Sequence, residues 1–293
     1  KVGENENISQ GFIYDTQRDT VYAIQTSTIP GIKDLPDYLK DYPKELDTLK
    51  KKNADRPVNF FGPFWNDNGT TAMVVATSTD NKDRWIVCLE LETGQIKQLE
   101  HQHDSAWIGG PGISSWNFET GTLGWLRDAQ TIYFQSEASG YSHLYTLDLS
   151  SGKKQSLTNG NYEVHQVILS NDLKSFYLST NKNHPGVRDF WCLDIKSGTL
   201  VPILRDTGAY EVQLSPDEKQ LAYRFSTSTQ PWEIFTCSLK NPKDQVQLTK
   251  STTEVFRTYP WQKPEILSFK ASDGVEVYAR MYTPKAKNKN GAA

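Results

Sequence analysis

His101-x-His103-Asp104 sets two imidazoles and a carboxylate within four residues of one another. On a strand, alternate residues share a face, and imidazole with carboxylate suits zinc. No third ligand stands at a fixed spacing, so the segment reads as a polar strand end, and no metal or cofactor is expected. Gly109-Gly110-Pro111-Gly112 has the glycine density of a phosphate loop. It lacks the lysine and the following helix that give such loops their mechanism, and it reads as an irregular loop. His143, in Ser142-His143-Leu144-Tyr145, has no nucleophile pattern beside it and reads as structural. A nucleophile elbow needs Gly-x-Ser-x-Gly on a strand-to-helix turn. That pattern occurs nowhere in the 293 residues, so no catalytic residue is assigned.

The elements that must position these residues are repeated. Four copies of one pattern begin at turns containing Asn66-Asp67, Arg127-Asp128, Asn171-Asp172 and Pro216-Asp217. Each turn is flanked by β-rich runs, and later turns follow at Thr93-Gly94, Ser151-Gly152 and Ser197-Gly198, with Asn241-Pro242 closing the fourth copy. Asp128 to Asp172 is 44 residues and Asp172 to Asp217 is 45. Several short strands per unit at a period in the low forties are the signature of a β-propeller blade. In the third copy the strands fall at 163–170, 175–180, 189–195 and 199–204. The third strands carry Ile86-Val87, Leu144-Tyr145, Phe190-Trp191 and Ile234-Phe235, the bulky pairs that stacked blades need. The fold class is therefore all-β, with four-stranded antiparallel blades expected between Val58 and Thr249.

Two insertions interrupt the repeat. Asp67 and Asp128 are 61 residues apart, and the excess falls at 101–118. A charged, partly helical insertion runs over 31–57, where Leu46 and Leu49 give a thin apolar face and Pro43 is an expected interruption. Ahead of it, 11–25 reads as strands of a degenerate blade. Asn7-Ile8-Ser9 and Asn68-Gly69-Thr70 match the glycosylation acceptor, a pattern frequent by chance.

Bulk properties exclude several classes. A net charge of −3 and a pI near 6.0 give no general attraction for nucleic acid. The longest apolar runs are about five residues, such as 72–76, too short for a helix to span a bilayer. Hydrophobic content of 37% with 12% aromatics supports a true core. Cys88, Cys192 and Cys237 occupy nearly the same point of third strands in different blades, so three reduced, partly buried thiols are expected. The chain opens at Lys1 rather than Met, and both ends read as cut.

Gln135-Ser136-Glu137-Ala138-Ser139-Gly140-Tyr141-Ser142-His143-Leu144-Tyr145 resembles a segment of the propellers in the prolyl oligopeptidase family, nearest its dipeptidyl-peptidase-IV-like branch. Leu214-Ser215-Pro216-Asp217, Gln230 to Phe235 and Thr253-Glu254-Val255-Phe256 are similar to the same branch. So is the hairpin around Asp273-Gly274 that ends at Pro284, and the resemblance covers roughly Phe61 to Pro284. It implies a propeller domain over 1–262 and the start of an α/β-hydrolase domain over 263–293. It also implies hydrolysis of peptide bonds by a Ser/Asp/His triad lying beyond this chain, and an extracytoplasmic location, periplasmic or secreted. That branch holds the free ammonium of its substrate with acidic side chains, typically a Glu-Glu pair, and this chain contains no Glu-Glu. Its insertion at 101–118 offers Asp104, with Trp107 nearby and Glu119 at the edge, as the substrate-binding candidates. The partners implied are a peptide substrate and the peptidase domain of the same polypeptide, and a homodimer is compatible. A loop-capping role for Asp104 and a stand-alone propeller binding protein or glycan are the competing readings.

Overall fold

The computed structural model describes residues 10–113 and 120–284. A hairpin of β1 (Phe12–Asp15) and β2 (Thr20–Ala23) comes first. The insertion follows, with a short 3-10 helix at Asp37–Asp41 and α1 at Pro43–Lys52. Pro43 was expected to interrupt this insertion, and instead it starts α1. At a first helical position its missing N–H would be unpaired in any case.

Four sheets of four strands come next, each in simple sequence order. The first is β3 (Val58–Trp65), β4 (Ala72–Ser78), β5 (Asp83–Leu89) and β6 (Ile96–His103). The second is β7 (Leu123–Trp125), β8 (Thr131–Ser136), β9 (His143–Asp148) and β10 (Lys154–Ser156). In the third, β11 (Val164–Leu169), β12 (Ser175–Thr180), β13 (Asp189–Asp194) and β14 (Leu200–Leu204) match the expected strands to within a residue or so. The fourth is β15 (Ala209–Leu214), β16 (Gln220–Ser226), β17 (Glu233–Ser238) and β18 (Asn241–Gln247). A short helix, α2 (Glu254–Thr258), leads to the hairpin β19 (Glu265–Lys270) and β20 (Glu276–Met281). The described chain falls into two compact units. One holds 10–169, 173–176 and 194–199, the other 170–172, 177–193 and 200–284, so the division passes through the third sheet.

The repeated turns explain why these hairpins close where they do. Ala129, Leu173 and Glu218 take left-handed backbone at φ 52°, 57° and 52°. A side chain there costs roughly 1–2 kcal/mol, so something must hold the turn. Asp128 Oδ1 accepts from the N–H groups of Gln130 and Thr131 at 3.0 and 2.8 Å. Asp172 and Asp217 accept from Ser170 Oγ and Ser215 Oγ, each at 2.7 Å. In the first sheet Asn66 takes this role, its Oδ1 accepting from Thr70 and Thr71 N–H at 2.9 and 3.1 Å, and Gly69 supplies the left-handed residue.

Packing around the first two sheets uses both faces of the first. One face, with Val74, Ala76, Trp85 and Val87, packs on Ile32 of the insertion, on Ile13 of the leading hairpin, and on Ile24 and Ile29 of the segment between them. The other, with Met73, Val75 and Ile86, packs on Ile132, Phe134 and Tyr145 of the second sheet. Asn66 Nδ2 donates to Ala129 O, and Trp125 Nε1 donates to Phe64 O, which fastens the two sheets at their turn ends. All three cysteines lie on third strands and outside any disulfide, with Cys237 buried and the others half-buried.

Candidate functional site

The loop that follows β6 is built from its own polar groups. Asp104 Oδ1 accepts from the N–H groups of Ala106 and Trp107 at 2.6 and 2.9 Å. Those two bonds, Trp107's first, hold the Asp104 carboxyl below its ordinary range. Lys82 Nζ donates to the carbonyls of Ser105 and Ala106, and Ile108 N–H donates to Asn81 O, which ties the loop to the β4–β5 turn. Trp107 is exposed, and Glu119 lies outside the described residues. Asp104 therefore does cap its loop, and its side chain is exposed.

The next stretch is glycine-rich because side chains of the second sheet occupy the space that Cβ atoms would need. A Cβ on Gly112 would stand 1.8 Å from Gln135 Oε1, and one on Gly110 2.1 Å from Glu137 Oε1. Gln135 is buried and works as a hub. Its amide donates to Pro111 O, Ser142 Oγ and Val164 O at 3.2, 3.0 and 2.7 Å, and its Oε1 accepts from Thr122 Oγ1 at 2.5 Å. Ser142 Oγ also donates to Pro111 O at 2.6 Å. Gly109 to Gly112 is thus an irregular loop seated on Gln135 and Glu137.

Glu137, at this seat, feels the charges of two further carboxylates. Glu137 is pushed up from the usual carboxyl range by partial burial, then by the negative charges of Glu163 and Asp104. Glu163 is positioned through its Oε2, which accepts from Ser142 N–H at 2.6 Å. A partly buried carboxyl that feels two other negative charges is electrostatically unsatisfied, and a cation such as an ammonium group relieves it. Such perturbed groups mark functional sites more often than chance. Of the expected substrate-binding residues, Asp104 and Trp107 fall here and Glu119 lies outside the described residues, while Glu137 and Glu163 were not among them. Glu137 stands inside the Ser-Glu-x-x-Gly segment, whereas Glu163 comes close only through the fold.

His143 has no chemistry to offer. It is buried, its Nε2 donates to Gly160 O at 2.8 Å, and its Nδ1 pairs with Thr158 Oγ1 at 2.9 Å.

In the second compact unit a cleft of about 790 Å³ opens between the 183–189 loop, β15, and the last hairpin. Arg205, Lys263 and Arg280 give it a cationic lining, and Asp189 lies within it. Burial raises the Asp189 carboxyl, although Asn183 donates to its Oδ2. Tyr278 of the hairpin meets His184 edge-on, with ring centroids 4.6 Å apart.

Successive four-stranded antiparallel sheets with hydrogen-bonded Asp turns define a β-propeller region. Residues 58–232 match the family model described as the dipeptidyl peptidase IV (DPP IV) N-terminal region, and the chain belongs to that family. It is similar to dipeptidyl peptidase 4 of Arthroderma otae, 22% identical over 282 residues, covering 84% of this chain and 35% of that protein. Dipeptidyl peptidase 4 of Trichophyton equinum is 21% identical over 296 residues, covering 89% of this chain and 37% of that protein. The crystal structure of Porphyromonas gingivalis dipeptidyl peptidase 4 shares the fold, with a TM-score of 0.63 at 14% identity, over 95% of this chain and 35% of that one. The chain thus spans little more than a third of the length of the curated relatives it matches.

Proposed function

We propose that this chain is the propeller region of a serine peptidase that cleaves short peptides, and that Asp104, Glu137 and Glu163 hold the free amino end of the substrate. The carboxylate set carries this reading. A single ammonium brought among three carboxyls gains charge-assisted hydrogen bonds, each worth about 1.5–3 kcal/mol. It also offsets the repulsion that helps raise the Glu137 carboxyl above its ordinary value. Trp107, exposed beside Asp104, offers an aromatic face to the same end of the peptide. Catalysis falls to a peptidase domain of the same polypeptide, beginning near residue 263, because this chain supplies no Gly-x-Ser-x-Gly.

The propeller's remaining part is to restrict access to that domain. The exposed apolar side chains of the last hairpin, among them Ile266, Phe269 and Tyr282, are the surface such a domain would cover.

The test uses the full-length protein and matched peptides with free or acylated amino ends. Glu137→Gln and Glu163→Gln should each raise KM for free peptides about tenfold or more, as loss of a charged hydrogen bond requires. Acylated peptides should be nearly unaffected. Equal effects on both classes would remove these carboxylates from the substrate site. No peptide turnover by the full-length protein would remove the peptidase reading itself.

A further inference from the structure

The third ligand that the sequence spacing of His101-x-His103 fails to supply comes from the neighbouring strand. In the antiparallel pair of β5 and β6, Asp83 stands opposite His103 and Trp85 opposite His101. Asp83, His101 and His103 therefore project from one face of two adjacent strands. Asp83 Oδ1 lies 2.7 Å from His101 Nε2 and 2.7 Å from His103 Nδ1. All three donor atoms lie within 4.8 Å of one another.

The geometry points to a divalent-cation site of the zinc class, with Asp83 Oδ1, His101 Nε2 and His103 Nδ1 as its protein ligands. Two imidazoles and one carboxylate with an open position are a donor set for zinc and neighbouring first-row ions. A carboxylate oxygen only accepts, so both rings now aim an N–H at the same atom. To bind the ion each ring must give up the proton on that nitrogen, to its other nitrogen or to solvent. Bonds of about 2.0–2.2 Å set ligand atoms roughly 3.3–3.5 Å apart in a tetrahedral site. The two 2.7 Å contacts must therefore open by somewhat less than 1 Å. His103, whose side chain is 53% exposed, has the freedom to do so.

The surroundings hold the ligands in place. Trp85 stacks on His101 with ring centroids 5.1 Å apart and planes 5° from parallel. Arg56 NH1 donates to Asp83 Oδ2 at 2.6 Å, which leaves Oδ1 as the oxygen that faces the histidines. Partners of this kind fix a ligand's orientation in metal sites.

Arg56 also brings positive charge, and the nearby acids offset it. Asp80 lies 3.5 Å from the same guanidinium nitrogen. Asp34 and Asp37 line the cleft of about 350 Å³ onto which the three ligands open. Lys82, also on the cleft, is turned to the Ser105 and Ala106 carbonyls. The fourth position faces this cleft, where water or Asp34 can complete the coordination.

Zinc chloride titrated calorimetrically into the chelator-treated 293-residue chain tests the site. One ion per chain should bind, and His103→Gln, at an exposed position, should weaken binding about tenfold or more. His184→Gln, at a histidine of the other compact unit, should leave it unchanged. Imidazole ¹⁵N shifts should show His101 exchanging its Nε2 proton for metal and His103 its Nδ1 proton. No saturable zinc binding, equal binding by wild type and His103→Gln, or ring nitrogens that do not move would each overturn the assignment.

Discussion

The first and fourth sheets are built from the same repeat, yet they are buried in opposite ways. In the first, six of the seven residues of β4 are buried, because the sheet is covered on one side by the insertion and on the other by the second sheet. In the fourth, β16 begins exposed-buried-exposed-buried, the alternation of a sheet with one covered face. The third-strand pairs show the same contrast. Ile86 and Val87 are 0% exposed, while Ile234 is 41% exposed. A repeat thus specifies the sheet, and its neighbours decide how much of it becomes core.

Truncating the same residue type at matched positions gives the largest test of this difference. Ile86→Ala should cost about 2–5 kcal/mol in urea-monitored unfolding, and Ile234→Ala less than about 1 kcal/mol. Equal losses would break the comparison. Next in size come two glycines with nearly the same backbone, Gly112 at φ 67° and Gly198 at φ 69°. Nothing lies within 4 Å of a Cβ built on Gly198, so Gly198→Ala should cost only the conformational term, about 1 kcal/mol. Gly112→Ala must also displace Gln135 and should cost at least about 2 kcal/mol in the same assay.

Carboxyl titration by NMR sharpens the contrast further. Asp217, on the fourth sheet's turn, should titrate near 2, held there by Ser215 Oγ and then by Lys219 N–H. Its folded value is depressed, so its contribution is present above the ordinary carboxylate pKa and is lost as pH falls toward 2. Glu137 should titrate above its ordinary value, and Glu163→Gln should bring it down by removing a like charge. Its sign is the reverse. Ionising Glu137 opposes folding, so Glu137→Gln should stabilise the chain at neutral pH, and the gain should vanish as acid protonates the wild type. The smallest effect belongs to the exposed Arg224–Glu211 pair across β15 and β16. Arg224→Ala should change stability by no more than about 0.5 kcal/mol, and that change should shrink in salt.

The strands were legible because turn residues and apolar runs alternate at a regular period, and the third sheet's strands could be placed almost to the residue. Pro43 was misread because a proline that breaks one helix starts another, and the sequence alone does not say which side it serves. The cap at Asp104 depends only on its own loop and could be foreseen. Asp83 could not be paired with His101 and His103 by spacing, since strand register brings them together. Glu163 was hidden for the same reason, being 26 residues from Glu137 in sequence. Local chemistry shows in sequence order, while sites assembled across strands need the register.

Because each sheet's strands follow one another in chain order, no strand of a sheet waits for a distant segment. As the chain leaves the ribosome, the first sheet can form its own hairpins once His103 has emerged. Short-range pairing of this kind favours rapid folding. What the nascent first sheet lacks is a cover for Met73, Val75 and Ile86, which arrives only with β8 and β9 of the second sheet. Until then a finished sheet shows an apolar face to solvent or to a chaperone. The time spent translating from Asp104 to the end of β9 at Asp148, the insertion included, therefore sets how long that face stays bare.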